Sequence, residues 1–337
     1  MIDVELEVLG RARDLTYPET RRAVMTLHDD IRRPTEYHLG WTDADGTALG
    51  GKGGKGVRTA LAIVSAEAAG APSAVGVPGA VAIELIHNFS LLHDDIIDTD
   101  RERRHRPTVW ALFGVGSAII VGDALMALAP QVLLEEVTPE RVNAARRLFE
   151  ATAAMIAGQA DDMAFETAEN VSPSDCTRMV ERKTGALLAF ASSVGAVLAG
   201  ASAEVVDALE TYGRNLGIAF QALDDVLGIW GDPRVTGKPV GGDIAQKKKT
   251  LPVCAALGSQ RHEADELRAI FATGALDART IARASELVEA CGGRTFTEQL
   301  AETHLALALE ALRSGALDDH AVSELEALAR FVTQRDH

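Results

Sequence analysis

The chain has 337 residues, 47% of them hydrophobic, enough to bury a large core and longer than a single core usually grows. Its 33 basic residues stand against 49 acidic ones, a formal charge of −16, which argues against nucleic acid and anionic membrane as main partners. Anionic substrates stay possible, because metal ions and a local basic patch can reverse the sign inside a cleft.

The first ten residues, MIDVELEVLG, carry acid where an export signal needs base followed by an apolar run. Three cysteines (Cys176, Cys254, Cys291) are odd in number, widely spaced and free of any CxxC pair. Together these features predict a cytoplasmic protein with reduced, mostly buried thiols. Helical periodicity dominates from Pro18 onward and no run alternates as a strand does. The expectation is therefore an all-α chain, with residues 1–337 as one domain.

Residues 40–56, GWTDADGTALGGKGGKG, interrupt the helical pattern as a polar, Gly-rich loop carrying Lys52 and Lys55 just ahead of Arg58. The loop lacks P-loop spacing and no strand precedes it. Residues 80–98, AVAIELIHNFSLLHDDIID, read as a helix. At about 100° per residue, Glu84, His87, Asn88, Leu91, Asp94, Asp95 and Asp98 fall within roughly one third of its circumference. A polar stripe thus runs along an apolar helix and ends in three carboxylates. Asp94 and Asp98 sit one turn apart and repel unless hard cations lie between them. Magnesium suits that place, since it takes oxygen ligands from one or two carboxylates and completes its shell with phosphates and water.

Four arginines follow at once: Arg101, Arg103, Arg104 and Arg106. Arginine's planar fork of donors matches a diphosphate. Residues 185–203 are uncharged and near the length of a membrane span, but their Gly, Ala and Ser content predicts a buried helix. Further on, Gln221, Asp224 and Asp225 share a face of a second apolar helix, so FQALDDVLG resembles FSLLHDDIID as a second version of one device. Residues 231–252 mix turn signals with Lys238, Lys247, Lys248 and Lys249. Beyond Ser259 the chain is charged and amphipathic, and is expected to form packing helices.

Taken in order, GGKGVR (53–58), HNFSLLHDDIID (87–98), RRHRPT (103–108), GD (122–123), GQ (158–159), KTGALL (183–188), FQALDD (220–225) and GKPVGGDIAQKKKTLP (237–252) resemble the trans-isoprenyl diphosphate synthase, or polyprenyl synthetase, family. The resemblance implies the isoprenoid synthase fold: an all-α helical bundle around a deep central cavity, as a homodimer. It implies three magnesium ions held by Asp94, Asp98 and Asp224, with Asp95 and Asp225 in support. An allylic diphosphate (dimethylallyl, geranyl or farnesyl) would be gripped by Arg103, Lys183 with Thr184 beside it, Gln221, Lys238 and Lys248. Isopentenyl diphosphate would use Lys55, Arg58, His87 and Arg104. Asp94, Asp98, Lys183 and Asp224 would carry the chemistry, a head-to-tail condensation.

Three motifs depart from the family pattern. Gly56 and Thr59 replace an arginine and a proline, His105 stands where glycine is usual, and Gly228 stands where a third aspartate is common. Asp232 and Asp243 remain close by in sequence. On this reading Gly228→Asp is a mild change. A class I terpene cyclase shares the fold and the first motif, and a catalytically silent partner subunit is the alternative of a different class; the retained Asp224–Asp225 pair argues against both.

Chain length is read at Phe89 and Ser90, five and four residues before Asp94. In the family, aromatics at both positions stop growth at fifteen carbons, and a small residue at the nearer one permits twenty. On an ideal helix Ser90 lies roughly 40° from Asp94 and Phe89 about 140° away. Ser90 is the expected gate, and Phe89 a floor if its ring swings inward. Geranylgeranyl diphosphate is the expected product, with farnesyl diphosphate second.

Overall fold

The computed structural model describes residues 2–50, 56–232, 241–313 and 316–333, with side chains from residue 7. It falls into two compact units. The first comprises residues 1–152, 190–210 and 314–328, and the second residues 153–189, 211–313 and 329–337.

In the first unit, α1 (Ile2–Val24) and α2 (Asp29–His38) lead to α3 (Val57–Ala68) and α4 (Val77–Ile97). Helix α1 starts well before Pro18 and keeps that proline inside it. Buried Thr16 and Thr20 turn their hydroxyls onto the carbonyls of Ala12 and Thr16, so polar groups stay satisfied within the helix itself. After α4 come α5 (Val109–Phe113), α6 (Val115–Leu133) and α7 (Pro139–Thr167).

The core rests on small residues. A Cβ at Gly195 would lie 2.3 Å from the Ala62 carbonyl oxygen, and one at Gly79 2.6 Å from Val194. Helix α9 (Ala186–Leu198) therefore crosses α3 and α4 almost backbone to backbone, and the Gly195 N–H donates to Ser65 Oγ at 2.9 Å. Residues 186–197 are buried throughout, as the uncharged stretch predicted. Helices Ser73–Ile97 and Val115–Leu133 are long and apolar enough to cross a membrane by length and composition; 61% and 39% of their most apolar windows are buried, so the first is a core helix and the second keeps an apolar face outside.

The second unit holds α8 (Pro173–Val180), whose Ser172 cap accepts the Asp175 N–H at 3.1 Å, and most of α10 (Ala203–Trp230). A short helix, α11 (Gly242–Ala245), and α12 (Leu251–Leu257) follow. The later helices Glu263–Ala272 and Ala278–Ala290 pack Ala264, Leu267, Ala284 and Leu287 against Ile229 and Ile244, so the amphipathic tail does form packing helices. The three cysteines are free and buried.

Candidate active site

In the first unit the polar stripe stands on α4, but the helix ends at Ile97 and Asp98 is its C-cap. Three carboxylates thus crowd a helix C-terminus, whose partial negative charge already disfavours them. Asp95 is the buried member, 1% exposed. Its Oδ1 accepts from Arg103 Nε at 2.6 Å, while Oδ2 is buried without a partner. Burial pushes its pKa up to about 6, against the pull of Arg103 and with Asp100 and Asp94 pushing further.

Arg103 is delivered by a hairpin that the basic run did not suggest. Glu102–Arg103 pairs with Arg106–Pro107, leaving Arg104 and His105 as a two-residue turn at φ 54° and 61°. Such a turn favours glycine or asparagine, so two ordinary side chains are held here at a steric cost. Arg106 fastens the hairpin: it stacks on the Tyr37 ring at 4.2 Å and donates to the Thr42 carbonyl at 2.9 Å. Its work is structural.

A pocket opens between these parts, lined among others by His38, Leu91, Asp95, Arg103, Arg104 and Arg106. Near it, Arg58 Nη1 and His87 Nε2 lie 3.2 Å apart. Burial, then Arg58 and Arg104, hold His87 well below the usual histidine range. The ring is neutral, so Nε2 accepts from Arg58 and Nδ1 carries the proton. His38 was not singled out in the sequence. Burial, then Arg103 and Arg104, bring it down to about 3, and its Nε2 is buried without a partner.

Phe89 is 5% exposed, its ring edge-on to His93 at 4.9 Å. His93 abuts α6, where a Cβ at Gly122 would lie 2.3 Å from its Nε2. Ser90 is half-buried and its hydroxyl donates to the His87 carbonyl at 2.8 Å.

In the second unit, Lys183 and Thr184 lie in a π-helical turn, Glu181–Gly185. Wide turns of this kind often mark functional positions. Two glycines make room: a Cβ at Gly158 would meet the Lys183 backbone N at 2.4 Å, and one at Gly217 the Gly185 Cα at 2.7 Å. Lys183 Nζ pairs with Asp162 Oδ2 at 2.6 Å, a partner whose only sequence signal was the DD following GQ. From Thr184 a chain of hydrogen bonds runs to Gln221 Oε1 (3.0 Å), from Gln221 Nε2 to Asp225 Oδ1 (2.9 Å), and from the Leu251 N–H to Asp225 Oδ2 (3.0 Å). Asp225 is 6% exposed and is pushed up to about 7 by burial, with the Leu251 N–H and Gln221 pulling back and Asp243 and Asp224 pushing further.

The lysine run divides. Lys247 donates to the carbonyls of Phe271 and Thr273 at the end of helix Glu263–Ala272, and Lys249 to those of Phe165 and Ala168 at the end of α7. Both act as helix-end clamps. The Lys248 backbone N–H donates to the Asp243 carbonyl at 2.9 Å. Lys52, Lys55 and Lys238 lie outside the described residues.

Among the described residues no three His, Cys, Asp or Glu side chains gather into a ready metal cage. The carboxylates of each unit suit a hard cation that takes one or two protein oxygens and draws the rest from phosphate and water. The buried, unpartnered Oδ2 of Asp95 is consistent with that donor set.

The polyprenyl synthetase family model matches residues 44–288. The chain is 43% identical over 334 residues to the (2E,6E)-farnesyl diphosphate synthase of Mycobacterium tuberculosis, covering 98% of this chain and 93% of that one. It is 40% identical over 337 residues to the geranylgeranyl diphosphate synthase of the same organism, covering 99% and 95%. Among solved structures, the polyprenyl synthetase of Streptomyces coelicolor superposes with a TM-score of 0.92 at 48% identity, covering 97% of this chain and 98% of that one. The geranylgeranyl pyrophosphate synthase of Corynebacterium glutamicum, complexed with isoprenyl diphosphate and magnesium, superposes with a TM-score of 0.81 at 28% identity, covering 98% and 99%.

Proposed function

The chain belongs to the polyprenyl synthetase family and is a prenyltransferase that elongates trans-prenyl chains, and we propose that it condenses isopentenyl diphosphate with an allylic diphosphate to give geranylgeranyl diphosphate. Its fold is the all-α fold of that family. The whole chain acts as one catalytic domain on this reading, since the matched stretch runs through residues of both units.

On this reading Asp94, Asp98 and Asp224 are the metal ligands, with Asp95 and Asp225 in support. Bound magnesium, three ions on this reading, supplies positive charge against which the allylic diphosphate departs. Arg103, Lys183, Gln221 and Lys248, with Thr184 and with Lys238 outside the described residues, hold that diphosphate. Arg58, Arg104 and the Nδ1–H of neutral His87, joined by Lys55, hold isopentenyl diphosphate. A neutral His87 adds a donor without adding another charge beside Arg58 and Arg104. The allylic carbon–oxygen bond breaks, the isopentenyl alkene attacks the cation, and a proton leaves to the departed diphosphate. No protein nucleophile is needed; the cavity's part on this reading is to exclude water from the cation.

The observation that carries the product is the contrast on α4. Ser90, half-buried, presents only a hydroxyl one turn before Asp94, while Phe89 is buried beside His93. Farnesyl diphosphate is the second reading, favoured by the 43% identity to a synthase of that product. Chromatography of dephosphorylated products from each allylic starter decides between them. Wild type should give a twenty-carbon alcohol, Ser90→Phe a fifteen-carbon one, and Phe89→Ala a longer one. An unchanged product from both variants would place the floor on another helix.

A second copy of the chain is the proposed partner, in a soluble, cytoplasmic homodimer. Val142, Phe149, Ile156 and Met163 recur every seven residues along α7 and are all exposed, and α6 exposes Val115, Ile119 and Ile120. Apolar stripes of this kind are what a helix–helix interface covers.

A further inference from the structure

Helix α4 carries Phe89 and His93 one turn apart, so the two rings share a face. They meet edge-on, with centroids 4.9 Å apart and planes at 72°. Phe89 is buried, whereas His93 keeps one edge partly open. Helix α6 packs along α4, and His93 reaches its main chain. His93 Nε2 lies 3.3 Å from the Ile119 carbonyl oxygen and 3.8 Å from Asp123 Oδ1. Both neighbours are acceptors, so Nε2 carries the proton and donates to the Ile119 carbonyl.

The seat of that ring is a glycine. A Cβ built on Gly122 would lie 2.3 Å from His93 Nε2 and 2.5 Å from its Cδ2. The imidazole therefore fills the volume where any side chain at residue 122 would begin. Gly122 stands buried inside α6 and needs no left-handed backbone, so alanine would serve the helix itself better. What the glycine provides is the close approach of His93. The imidazole is thus bonded to α6 on one side and set against Phe89 on the other. An edge-on ring contact is attractive and directional, so a fixed imidazole also fixes the Phe89 ring.

We propose that His93 and Gly122 are positioning residues for product length: Gly122 seats His93 on α6, and His93 holds the Phe89 ring as the wall that the growing chain meets. Both act through Phe89. This inference rests on the proposed reading of Phe89 as a floor. It moves part of the control of chain length from α4 to α6.

The test is the length of the dephosphorylated products that the full chain makes from isopentenyl diphosphate, an allylic diphosphate and magnesium. Total rate and far-UV circular dichroism are recorded for every variant. Phe89→Ala, the control for the floor, should lengthen the main product by one isoprenoid unit. His93→Ala should shift the products in the same direction, because the Phe89 ring loses its support. Gly122→Ala should change the length distribution of the wild type and leave that of His93→Ala as it is, since no imidazole then remains to be displaced. A role confined to packing would lower the rate or the stability of these variants and leave product length alone. If Phe89→Ala leaves the length unchanged, the floor reading fails and this inference with it. If Phe89→Ala lengthens the product and His93→Ala does not, the floor reading stands and this inference falls. A wild-type length distribution from Gly122→Ala also overturns it. Should His93→Ala fail to fold, His93→Gln decides in its place, keeping a donor for the Ile119 carbonyl without a ring for Phe89: longer products support the inference, and wild-type products overturn it.

Discussion

The end of α4 and the end of α10 carry nearly the same short sequence, yet each neutralises its buried aspartate differently. Asp95 leans on a full cation, Arg103, at 2.6 Å. Asp225 leans on neutral donors, the Gln221 amide and the Leu251 N–H. Both carboxyls are pushed up by burial, Asp95 to about 6 and Asp225 to about 7. The difference is that the buried aspartate of the first cluster pairs with a full cation within the fold, while the buried aspartate of the second is held by neutral donors.

The comparison is sharpened by removing each partner in turn. Arg103→Gln strands a buried carboxylate beside Asp94 and Asp100, and should cost about 2–3 kcal/mol, less than a fully buried pair because the Arg103 side chain is 31% exposed. Gln221→Leu removes one neutral donor and should cost about 1 kcal/mol. Urea denaturation without metal measures both, and the reverse order would break the comparison.

His38 belongs to the cationic surroundings of the first cluster alone. Its folded pKa of about 3 lies below the unfolded value of about 6.5. Between those values the unfolded chain binds a proton that the folded chain refuses, so this group's contribution is full at neutral pH and is lost as pH falls. Its share should reach about 2 kcal/mol between pH 7 and pH 5, and His38→Gln should lose correspondingly less over that interval. Equal losses in the two proteins would show that His38 accepts its proton when folded. The smallest effect belongs to the hairpin: His105→Gly relieves one left-handed residue and should stabilise by about 0.5–1 kcal/mol in the same assay.

The sequence revealed whatever depended on neighbours along one helix. The stripe from Glu84 to Asp98 and the shared face of Gln221, Asp224 and Asp225 are set by helical repeat, and the structure keeps both on helices. What it hid depends on distant backbone. The π-helical turn at Lys183 needs the hollows at Gly158 and Gly217. The Lys183–Asp162 pair spans 21 residues, and the diversion of Lys247 and Lys249 to helix ends requires the positions of those helices. Pro18 marks no boundary because α1 runs through it. Gly228→Asp looks mild in sequence, but a Cβ at Gly228 would lie 2.0 Å from Asp243 Oδ2, a neighbour from the segment after α10.

The central claim is that elongation runs through divalent metal at these acid clusters, and the rate of product formation by Asp94→Ala tests it most directly. With isopentenyl diphosphate, an allylic diphosphate and magnesium, that variant should fall roughly a thousandfold or more below wild type, the scale expected when charge stabilisation of a leaving group is lost. Its circular dichroism should be unchanged, since the substitution also relieves repulsion at the end of α4. A near-normal rate for Asp94→Ala, or full wild-type activity in excess chelator, would contradict the account.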